Sequence, residues 1–412
     1  MRNWVYRALC AVIIDQTYSN LYLKKHLQEV DEKDQALATK IFYGTIQNYR
    51  YCQYVLQQFC TKKTSRSLEI LLCMSIYQLK FLDKVPSYAI VNEAVLLAKK
   101  KSQKQANFVN AILHKILKEE VQMPTDPIEA LSIETSVQPW LLSMWKAQYG
   151  YDLMESMARS TLQTMPIYVR FNPLKINEQA ILKNEEISQM DGQDLLVYQG
   201  ASIFDCDLYK KGLISVQDDG SYQISRFMNC QPGEHILDCC SAPGTKAMAM
   251  AEQMHDQGHI DCLDIHAHRV ELIKNDAKRL GITICHGLCK DATKLEDLGL
   301  YDRILCDVPC SGYGIMARKP DIKLHMNSQD MDSLIPLQAA ILESSSHHLK
   351  ENGTLVYSTC TMNKKENEKQ VEAFLKRHPE FTCDEMKTIT PNHHHDGFFM
   401  ARMIKQGVHH DL

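Results

Sequence analysis

The chain has 412 residues, of which 45% are hydrophobic and 23% charged, and its formal net charge at pH 7 is −4. These totals predict a globular protein of two to four domains and exclude a uniformly basic chain. No run approaches the ~18 apolar residues of a membrane-spanning helix, and the apolar run at 8–14 has no cleavage site, so we expect neither a membrane span nor a signal peptide.

The 15 cysteines are odd in number and spread along the chain. Because a disulfide scaffold would space them closely and regularly, we predict reduced thiols and a cytoplasmic protein. Cys285 and Cys289 are four residues apart, as are Cys306 and Cys310, but there is no CxxC pair. The histidines at 393–395 are typical of a solvated loop. We therefore predict no metal site.

The first part of the chain is helical and basic in pattern. Residues 4–118 repeat apolar side chains at helical intervals, for example at Leu68, Leu71 and Leu72. Residues 1–125 carry 18 Lys and Arg against 10 Asp and Glu, whereas the remainder carries 28 against 40. An all-α basic module suits RNA binding, although a basic helical surface is also compatible with simple solvation.

Three stretches of this segment carry a family resemblance: YSNL at 18–21, VPSYAIVNEAV at 85–95 and ANFVNAIL at 106–113. They resemble the NusB-like RNA-binding domain at the head of some bacterial RNA methyltransferases, and we assign residues 1–122 to that domain. Asn92, Asn107 and Asn110 are candidates for RNA contacts. Helix capping and local hydrogen bonds are the alternative for each of them.

Residues 123–228 are predicted to form a linker and a small α+β RNA-binding subdomain. Two prolines and the lack of a clear period favour a linker over residues 121–135. A helix and two strands are then expected at 139–149, 166–172 and 195–204. Arg170 and Asn172, at the end of the first strand, are equally compatible with substrate binding and with a strand end and turn.

Residues 229–412 alternate between strand and helix patterns. The predicted strands are 235–240, 259–265, 282–286, 301–307 and 353–358. The predicted helices are 244–257, 268–280, 331–350 and 364–378. Asn363 and Glu366 have the spacing of a capping box for the last helix. This alternation predicts a doubly wound, Rossmann-like α/β domain with a mostly parallel sheet, and residues 397–404 are expected to add an antiparallel edge strand.

The first strand of this domain leads into the loop LDCCSAPGTK at 237–246. Gly244 at the helix start would bring backbone N–H groups close to a ligand, but the loop matches neither GxGxxG nor a Walker A motif. Asp264 follows the second strand and is placed for ribose hydroxyls, and Asp291 follows the third and is placed for an adenine amino group, with a turn or cap as the alternative for each. Lys246 would orient nearby carboxylates or the cofactor, with a solvated lysine in the first turn of the helix as the alternative. Carboxylates without a phosphate-binding loop predict a nucleoside cofactor lacking phosphates, S-adenosylmethionine.

Two more motifs follow predicted buried strands: DVPCS at 307–311 and STC at 358–360. In an open α/β sheet, ligands bind at the carboxyl ends of the strands. The pattern therefore delivers Asp307, Cys310 and Cys360 to a place suited to chemistry.

These motifs, together with RKPDIK at 318–323 and DGFF at 396–399, resemble those of the RNA cytosine-C5 methyltransferases. With the NusB-like head, the resemblance covers essentially the full chain and is to the bacterial 16S ribosomal RNA enzymes of that class. The cofactor contacts that it implies are Cys240, Ser241, Ala242, Pro243, Gly244, Thr245, Lys246, Asp264, Arg269, Asp291 and Asp307. Thr245 is a departure, because the family usually has a second glycine there, and Lys290 replaces a glycine that usually precedes the third acidic residue.

The chemistry of cytosine explains the paired cysteines. C5 is a poor nucleophile, but a thiolate that adds at C6 makes the ring reactive towards a methyl group, and a second residue can assist removal of the C5 proton afterwards. The resemblance implies that Cys360 is the nucleophile, Cys310 assists product release and Asp307 hydrogen-bonds the N3 and N4 edge of the base. The basic residues of 318–323 would hold phosphates beside the extruded base, or form a solvated loop.

The sequence thus predicts methyl transfer from S-adenosylmethionine to C5 of a cytosine in 16S ribosomal RNA, with RNA as the partner and no obligate protein partner. One alternative is a catalytically degenerate RNA-binding or antitermination-type protein, against which the retention of Asp307, Cys310 and Cys360 argues. Another is a DNA cytosine methyltransferase, which would use Cys310 as nucleophile and would need neither Cys360 nor the NusB-like head.

Overall fold

The computed structural model describes residues 1–61, 63–190 and 194–407; the last residues of the third predicted domain, 408–412, lie outside this part. The chain packs into two compact units. Unit 1 comprises Met1–Gln163 and Met316–Asn327, and unit 2 comprises Thr164–Ile315 and the chain from Ser328 onward. This division differs from the three predicted domains, 1–122, 123–228 and 229–412, whose boundaries stay a proposal.

Unit 1 is helical, as the sequence predicts. Its helices are Arg2–Ile13, Ser19–His26, Glu32–Gln47, Tyr49–Phe59, Arg66–Phe81, Ser87–Lys99, Gln103–Lys118, Pro127–Thr135, Pro139–Tyr149 and Tyr151–Ser160, with shorter turns of helix at Leu27–Glu29 and Ile322–His325. The first seven helices enclose a single apolar core in which Ile41, Phe42 and Leu72 are fully buried. None of the helices in the described part of the chain is both long and apolar enough to cross a bilayer.

The asparagines considered for RNA contacts lie on exposed positions within helices. Asn92 belongs to Ser87–Lys99, and Asn107 and Asn110 belong to Gln103–Lys118. None occupies a cap, and Asn107 Oδ1 accepts a hydrogen bond of 2.9 Å from Gln103 Nε2 one turn earlier. Capping is therefore wrong for these residues, a local hydrogen bond is confirmed for Asn107, and RNA contact stays a prediction.

The linker predicted over residues 121–135 is wrong in its second half. Pro127–Thr135 is a helix, and Asp126 Oδ1 caps it by accepting the Glu129 N–H at 2.8 Å. Pro127 occupies the first helical position, where the missing N–H has no intrahelical partner to lose. Pro127 therefore marks the start of a helix, as Pro139 does for the correctly predicted helix Pro139–Tyr149, whereas Pro124 lies outside any helix.

Residues 316–327 pack within unit 1 through a buried lysine. Lys323 is 4% exposed, and its Nζ donates to Thr135 O at 2.7 Å and to Gln47 O at 3.3 Å. Both carbonyls end helices and would otherwise lack intrahelical partners. Lys323 is thus unavailable for a phosphate, and the role suggested by its place in the RKPDIK motif is wrong for this residue.

Burial lowers the pKa of Lys323 to about 7. In the unfolded chain the pKa of a lysine is near ~10.4. Between these two pKa values the unfolded state binds more protons than the folded state, so the free energy of unfolding increases as pH rises. We expect the stability advantage of the wild type over Lys323→Met to grow with pH from 7.5 to 9.0, by up to roughly 1.4 kcal/mol per pH unit. Urea unfolding of both proteins at several pH values measures it, with the exposed Lys104→Met as control. Parallel pH profiles for wild type and Lys323→Met would contradict the assignment.

The middle of the chain forms a small antiparallel sheet with short helices, in agreement with the predicted α+β character. Its strands are β1 (Ile167–Phe171), β2 (Ile187–Gln189), β3 (Leu196–Tyr198) and β4 (Ile214–Val216), and its helices are Glu178–Ile181, Asp207–Lys210 and Asp219–Phe227. Among the described residues the strand order is β2-β3-β1-β4. The strand predicted at 195–204 ends at Tyr198, because residues 199–206 form a loop.

Arg170 and Asn172 have structural roles. Arg170 donates from Nε and Nη2 to the Glu252 carboxylate at 2.7 and 3.2 Å and from Nη1 to Gln217 Oε1 at 2.7 Å. Asn172 Nδ2 donates to Gly212 O at 3.1 Å and Leu280 O at 2.9 Å. Arg170 is 3% exposed and Asn172 1%, so neither side chain is free to bind RNA.

The rest of unit 2 is the predicted doubly wound α/β domain. Its strands are β5 (His235–Asp238), β6 (His259–Asp264), β7 (Cys285–Cys289), β8 (Tyr301–Asp307), β9 (Leu349–Thr359), β10 (Phe381–Ile389) and β11 (Phe398–Lys405), and its helices are Thr245–Gln253, Ala267–Leu280, Asp330–Ser346 and Glu368–Arg377. In the described part the order is β10-β11-β9-β8-β5-β6-β7. β5 to β9 are parallel, and one apolar core cluster covers each face.

Several details of this domain differ from prediction; for example, the helix predicted at 331–350 ends at Ser346, and β9 already begins at Leu349. β11 pairs with β9 antiparallel as expected, but β10 lies outside it, so β11 is not the edge. The sequence does not predict β10, because the middle of this strand is exposed and lacks alternating apolar residues. β7 begins three residues later than predicted, and the last helix begins at Glu368. The capping box of Asn363 and Glu366 is wrong, because residues 364–367 form a turn.

The strand order creates a crevice between β5 and β8. The chain runs outward from β5 through β6 to β7, then returns to place β8 on the other side of β5. Loops that leave adjacent strands on opposite sides of such a switch point diverge and leave space for a ligand. The cofactor loop follows β5 and the DVPCS motif includes the end of β8, so both border this crevice.

Candidate active site

The predicted cofactor loop is a tight turn at the end of β5. Ser241 N donates to Leu263 O at 2.8 Å, and Gly244 N donates to Ser241 O at 2.7 Å. The Ala242–Pro243 peptide is cis, and Gly244 has φ +104°, a conformation that favours glycine. Thr245 begins the helix with ordinary backbone geometry. The departure from Gly-Gly therefore brings no backbone strain.

Asp264 and Arg269 are joined to this loop. Asp264 is 5% exposed; its Oδ1 accepts His266 N–H at 2.9 Å and its Oδ2 lies 3.1 Å from Arg269 Nη1. Arg269 Nη2 donates to Ala242 O at 2.9 Å. Asp264, Arg269 and the loop thus form one connected group at the ends of β5 and β6.

Asp291 has a local role in the structure. It is exposed, and its Oδ1 accepts both the N–H and the hydroxyl of Thr293, at 2.9 and 2.8 Å. These hydrogen bonds lower the pKa of its carboxyl. The turn alternative therefore describes Asp291 well, and its contact with adenine stays a prediction.

The loop also contains a buried carboxylate, Asp238, that was not among the predicted site residues, and the predicted contact Ser241. Asp238 is 1% exposed, and neither of its carboxylate oxygens makes a hydrogen bond in the described part of the chain; the same is true of the Ser241 hydroxyl. Burial, reinforced by the negative charge of Asp307, raises the pKa of Asp238 to about 7 against the opposing charge of the Lys246 ammonium. Buried acceptors of this kind suit the ammonium and sulfonium charges of S-adenosylmethionine. The residues present therefore fit that group.

Asp307 is held by two partners at the end of β8. Its Oδ2 lies 2.7 Å from Lys246 Nζ, and its Oδ1 accepts the Ser358 hydroxyl at 2.8 Å. Asp307 and Ser358 are direct neighbours in the β8–β9 pairing, which explains the second contact. Burial lowers the pKa of Lys246, but the charge of Asp307, with smaller contributions from Asp238 and Cys360, outweighs it and raises that pKa.

The two predicted catalytic cysteines are in contact. Cys310 Sγ and Cys360 Sγ are 3.4 Å apart, because the loops that carry them follow the adjacent parallel strands β8 and β9. The hydrogen bond with Cys360, followed by burial, raises the pKa of Cys310 well above its ordinary value. Cys310 therefore holds its proton at neutral pH and can share it with the sulfur of Cys360.

The neighbouring cysteines have different surroundings. Cys239 and Cys306 are fully buried, with sulfurs 3.9 Å apart, and Cys239 Sγ also lies 3.1 Å from Ser345 Oγ. Burial raises the pKa of Cys239 and of Cys240 well above the ordinary value. Cys239 and Cys306 are therefore buried packing groups, whereas Cys240, Cys310 and Cys360 are partly accessible.

The sheet, the cofactor loop and the strand-end groups define a methyltransferase that uses S-adenosylmethionine. The family model described as 16S rRNA methyltransferase RsmB/F matches residues 225–404, and the NusB family model matches residues 1–118. The chain is 34% identical to the probable ribosomal RNA small subunit methyltransferase B of Bacillus subtilis strain 168, over 99% of each chain. It belongs to the family of ribosomal RNA small subunit methyltransferase B.

Solved structures share this fold. The crystal structure of PH0851 superimposes with a TM-score of 0.83 at 24% identity, over 97% of this chain and 98% of that one. NSun6 from Pyrococcus horikoshii, solved with SFG, covers 66% of this chain and 99% of its own, with a TM-score of 0.61 and 18% identity. The second alignment involves only about two thirds of the chain, whereas the first includes nearly all of it.

Proposed function

We propose that this protein transfers a methyl group from S-adenosylmethionine to C5 of one cytosine in 16S ribosomal RNA through a covalent adduct with Cys360. The observation that carries the proposal is the pair of thiols 3.4 Å apart at the ends of β8 and β9. An enzyme that attacks C6 and later removes the C5 proton needs a nucleophile and a proton-handling group at one place. Direct methylation of an atom that is a better nucleophile than C5 would need neither an attacking thiol nor a proton-handling partner.

The chain's residues divide this work. Asp238, Ser241 and Asp264 with Arg269 hold the cofactor, which supplies an electrophilic methyl group when bound. Asp307, oriented by Ser358 and Lys246, accepts a hydrogen bond from the N4 amino group of the base and favours protonation at N3 as the adduct forms. Because Asp291 Oδ1 already accepts two hydrogen bonds from Thr293, Asp291 would accept the adenine amino group through Oδ2.

The neighbours of Cys360 account for its activation. A free thiol near pKa ~8.5 is only slightly ionised at neutral pH, so a nucleophilic cysteine needs a nearby cation or hydrogen-bond donor. Lys246 interacts electrostatically with Cys360, and Cys310 can donate its S–H to the sulfur. Both stabilise the thiolate. Cys310 then assists product release, the later step that follows once Cys360 is bonded to C6.

The relatives support ribosomal RNA as the proposed substrate. The chain matches proteins named for the small-subunit ribosomal RNA over its full length, and its helical head matches the NusB family. The exposed Asn92, Asn107 and Asn110 on that head, with Arg318 and Lys319, remain the proposed RNA contacts. The cytoplasmic location and the absence of an obligate protein partner also stay predictions.

Bisulfite mapping of 16S ribosomal RNA tests the proposal. A strain without this gene should lose the protection of a single cytosine, and plasmid-borne wild type should restore it. Purified protein with labelled S-adenosylmethionine should methylate RNA from the deletion strain and leave parental RNA almost unlabelled. An unchanged bisulfite pattern without methyl incorporation would favour the degenerate RNA-binding alternative. Incorporation at another atom would refute the C5 assignment.

A further inference from the structure

Glu366 is a fully buried carboxylate that joins the two cysteine loops. Its Oε2 accepts Ser311 N–H at 2.9 Å and Gln338 Nε2 at 3.0 Å. Its Oε1 accepts the Ser311 hydroxyl at 2.5 Å and Asn363 Nδ2 at 2.9 Å. The donors come from the loop after β8, the helix Asp330–Ser346 and the loop after β9.

A buried charge is tolerated only where it is paired or well hydrogen-bonded. No lysine or arginine of the described residues forms an ion pair with Glu366, so the four donors compensate the charge. Each oxygen receives two of them, which leaves little freedom for the carboxylate or for the donors. The cluster therefore holds the loops in one arrangement.

The residues that Glu366 holds are neighbours of the two thiols. Ser311 follows Cys310 directly, and its hydroxyl also lies 2.7 Å from the hydroxyl of Thr361, which follows Cys360. The chain Glu366–Ser311–Thr361 thus connects the two loops through side chains. Gln338 adds a second tie to the first loop by donating to Pro309 O at 3.0 Å.

The next residue reinforces the second loop. Asn367 Oδ1 accepts the Thr359 hydroxyl at 2.6 Å, and Asn367 Nδ2 donates to Thr361 O at 2.9 Å. The backbone carbonyl of Glu366 accepts the Tyr357 hydroxyl at 2.6 Å. The residues on both sides of Cys360 are therefore fixed by the turn that contains Glu366.

We propose that Glu366 is a positioning residue for the reaction: through Ser311 and Thr361 it fixes the separation of Cys310 and Cys360. The inference rests on the proposed covalent mechanism, in which the two thiols act in succession on one base. Misplacement of a reacting group by about 1 Å can cost on the order of 10²-fold in rate, so a tie of this kind has a kinetic effect beyond its contribution to folding.

Thiol cross-linking tests the separation without any methyl transfer. Diamide takes two electrons and two protons from two thiols, forms their disulfide and becomes the hydrazine. We expect Glu366→Gln to slow formation of the Cys310–Cys360 disulfide about tenfold, because the glutamine keeps only one acceptor oxygen and its NH2 group cannot accept from the second Ser311 donor. Mass spectrometry of the linked peptides separates this pair from the other cysteines. A wild-type cross-linking rate in Glu366→Gln would overturn the proposal.

Kinetics tests the consequence. Glu366→Gln should lower single-turnover methyl transfer about 10²-fold, while the KM for RNA and the affinity for S-adenosylmethionine stay within about twofold. Glu234→Gln is the matched control, since Glu234 is a hydrogen-bonded carboxylate just before β5, at the amino ends of the strands, and is paired with Arg303 at 2.8 Å. Equal kcat losses in both variants would reduce Glu366 to a folding role and overturn the proposal.

Ser311→Ala provides a second variant if Glu366→Gln does not fold. It removes the hydroxyl bridge but keeps the backbone N–H bond, so we expect about tenfold slower cross-linking and transfer. Wild-type rates for both would overturn the proposal. Slower cross-linking in a protein whose wild type methylates no C5 would support the positioning role and refute the proposed function, so the two failures are distinguishable.

Discussion

Replacing Cys360 with alanine should abolish methyl transfer, with a loss of at least about 10⁴-fold, and should prevent any covalent complex with RNA. Without the sulfur at position 360 nothing adds to C6, and C5 stays too poor a nucleophile to accept the methyl group. Labelled methyl incorporation and denaturing gels measure the two effects. Binding of S-adenosylmethionine should persist, because the cofactor residues lie on the other loops.

Cys383→Ala is a suitable control for this substitution. Cys383 is an exposed thiol on the outer strand β10, and its partners across β11 align it with Leu355, five residues before Cys360, so its removal should leave activity unchanged. The decisive comparison is with Cys310→Ala. An adduct that forms in Cys360→Ala and disappears in Cys310→Ala would reverse the two roles and support the DNA-type mechanism.

Replacing Cys310 with serine should have the opposite effect and trap the protein on RNA. Cys310 keeps its proton at neutral pH and lies 3.4 Å from the attacking sulfur, so it is placed to assist the step that frees Cys360. Serine has a far higher pKa and does not exchange a proton as readily. We expect first-turnover methylation within about tenfold of wild type and turnover at least about 10²-fold slower.

Three properties identify the trapped complex as the covalent adduct with Cys360. It should survive denaturation, contain methylated RNA and be absent from the double variant Cys310→Ser, Cys360→Ala. Its accumulation should parallel the first turnover. Free turnover of Cys310→Ser at the wild-type rate, without a gel-stable complex, would show that Cys310 has no part in product release.

Lys246 links the two halves of the site. The sequence suggests only that it orients carboxylates or cofactor, whereas the structure places its ammonium against Asp307 and within electrostatic reach of Cys360. Its charge is preserved despite burial because Asp307 raises its pKa. In the proposed mechanism this one cation would orient Asp307 towards the base and stabilise the thiolate of Cys360.

Two predictions from local sequence motifs are wrong because a tertiary contact engages the same side chain. Asn363 and Glu366 have capping-box spacing, but four donors from three segments take the Glu366 carboxylate and leave residues 364–367 as a turn. Lys323 belongs to a basic motif, but two helix ends take its ammonium. In both cases the side chain makes hydrogen bonds of the expected kind, but with partners that the spacing of residues in the sequence does not reveal.

The sequence by itself determined the helical head, the α+β middle, the doubly wound sheet and the strand ends that carry the motifs, because hydrophobic periodicity and glycine turns act over short stretches. Only the tertiary structure decided that Cys310 contacts Cys360, that Asp238 is an unpaired buried carboxylate, and that Arg170 and Lys323 are structural. Those outcomes depend on burial and on partners 50 or more residues away. The strand order, which sets β8 between β5 and β9, brings these distant groups together.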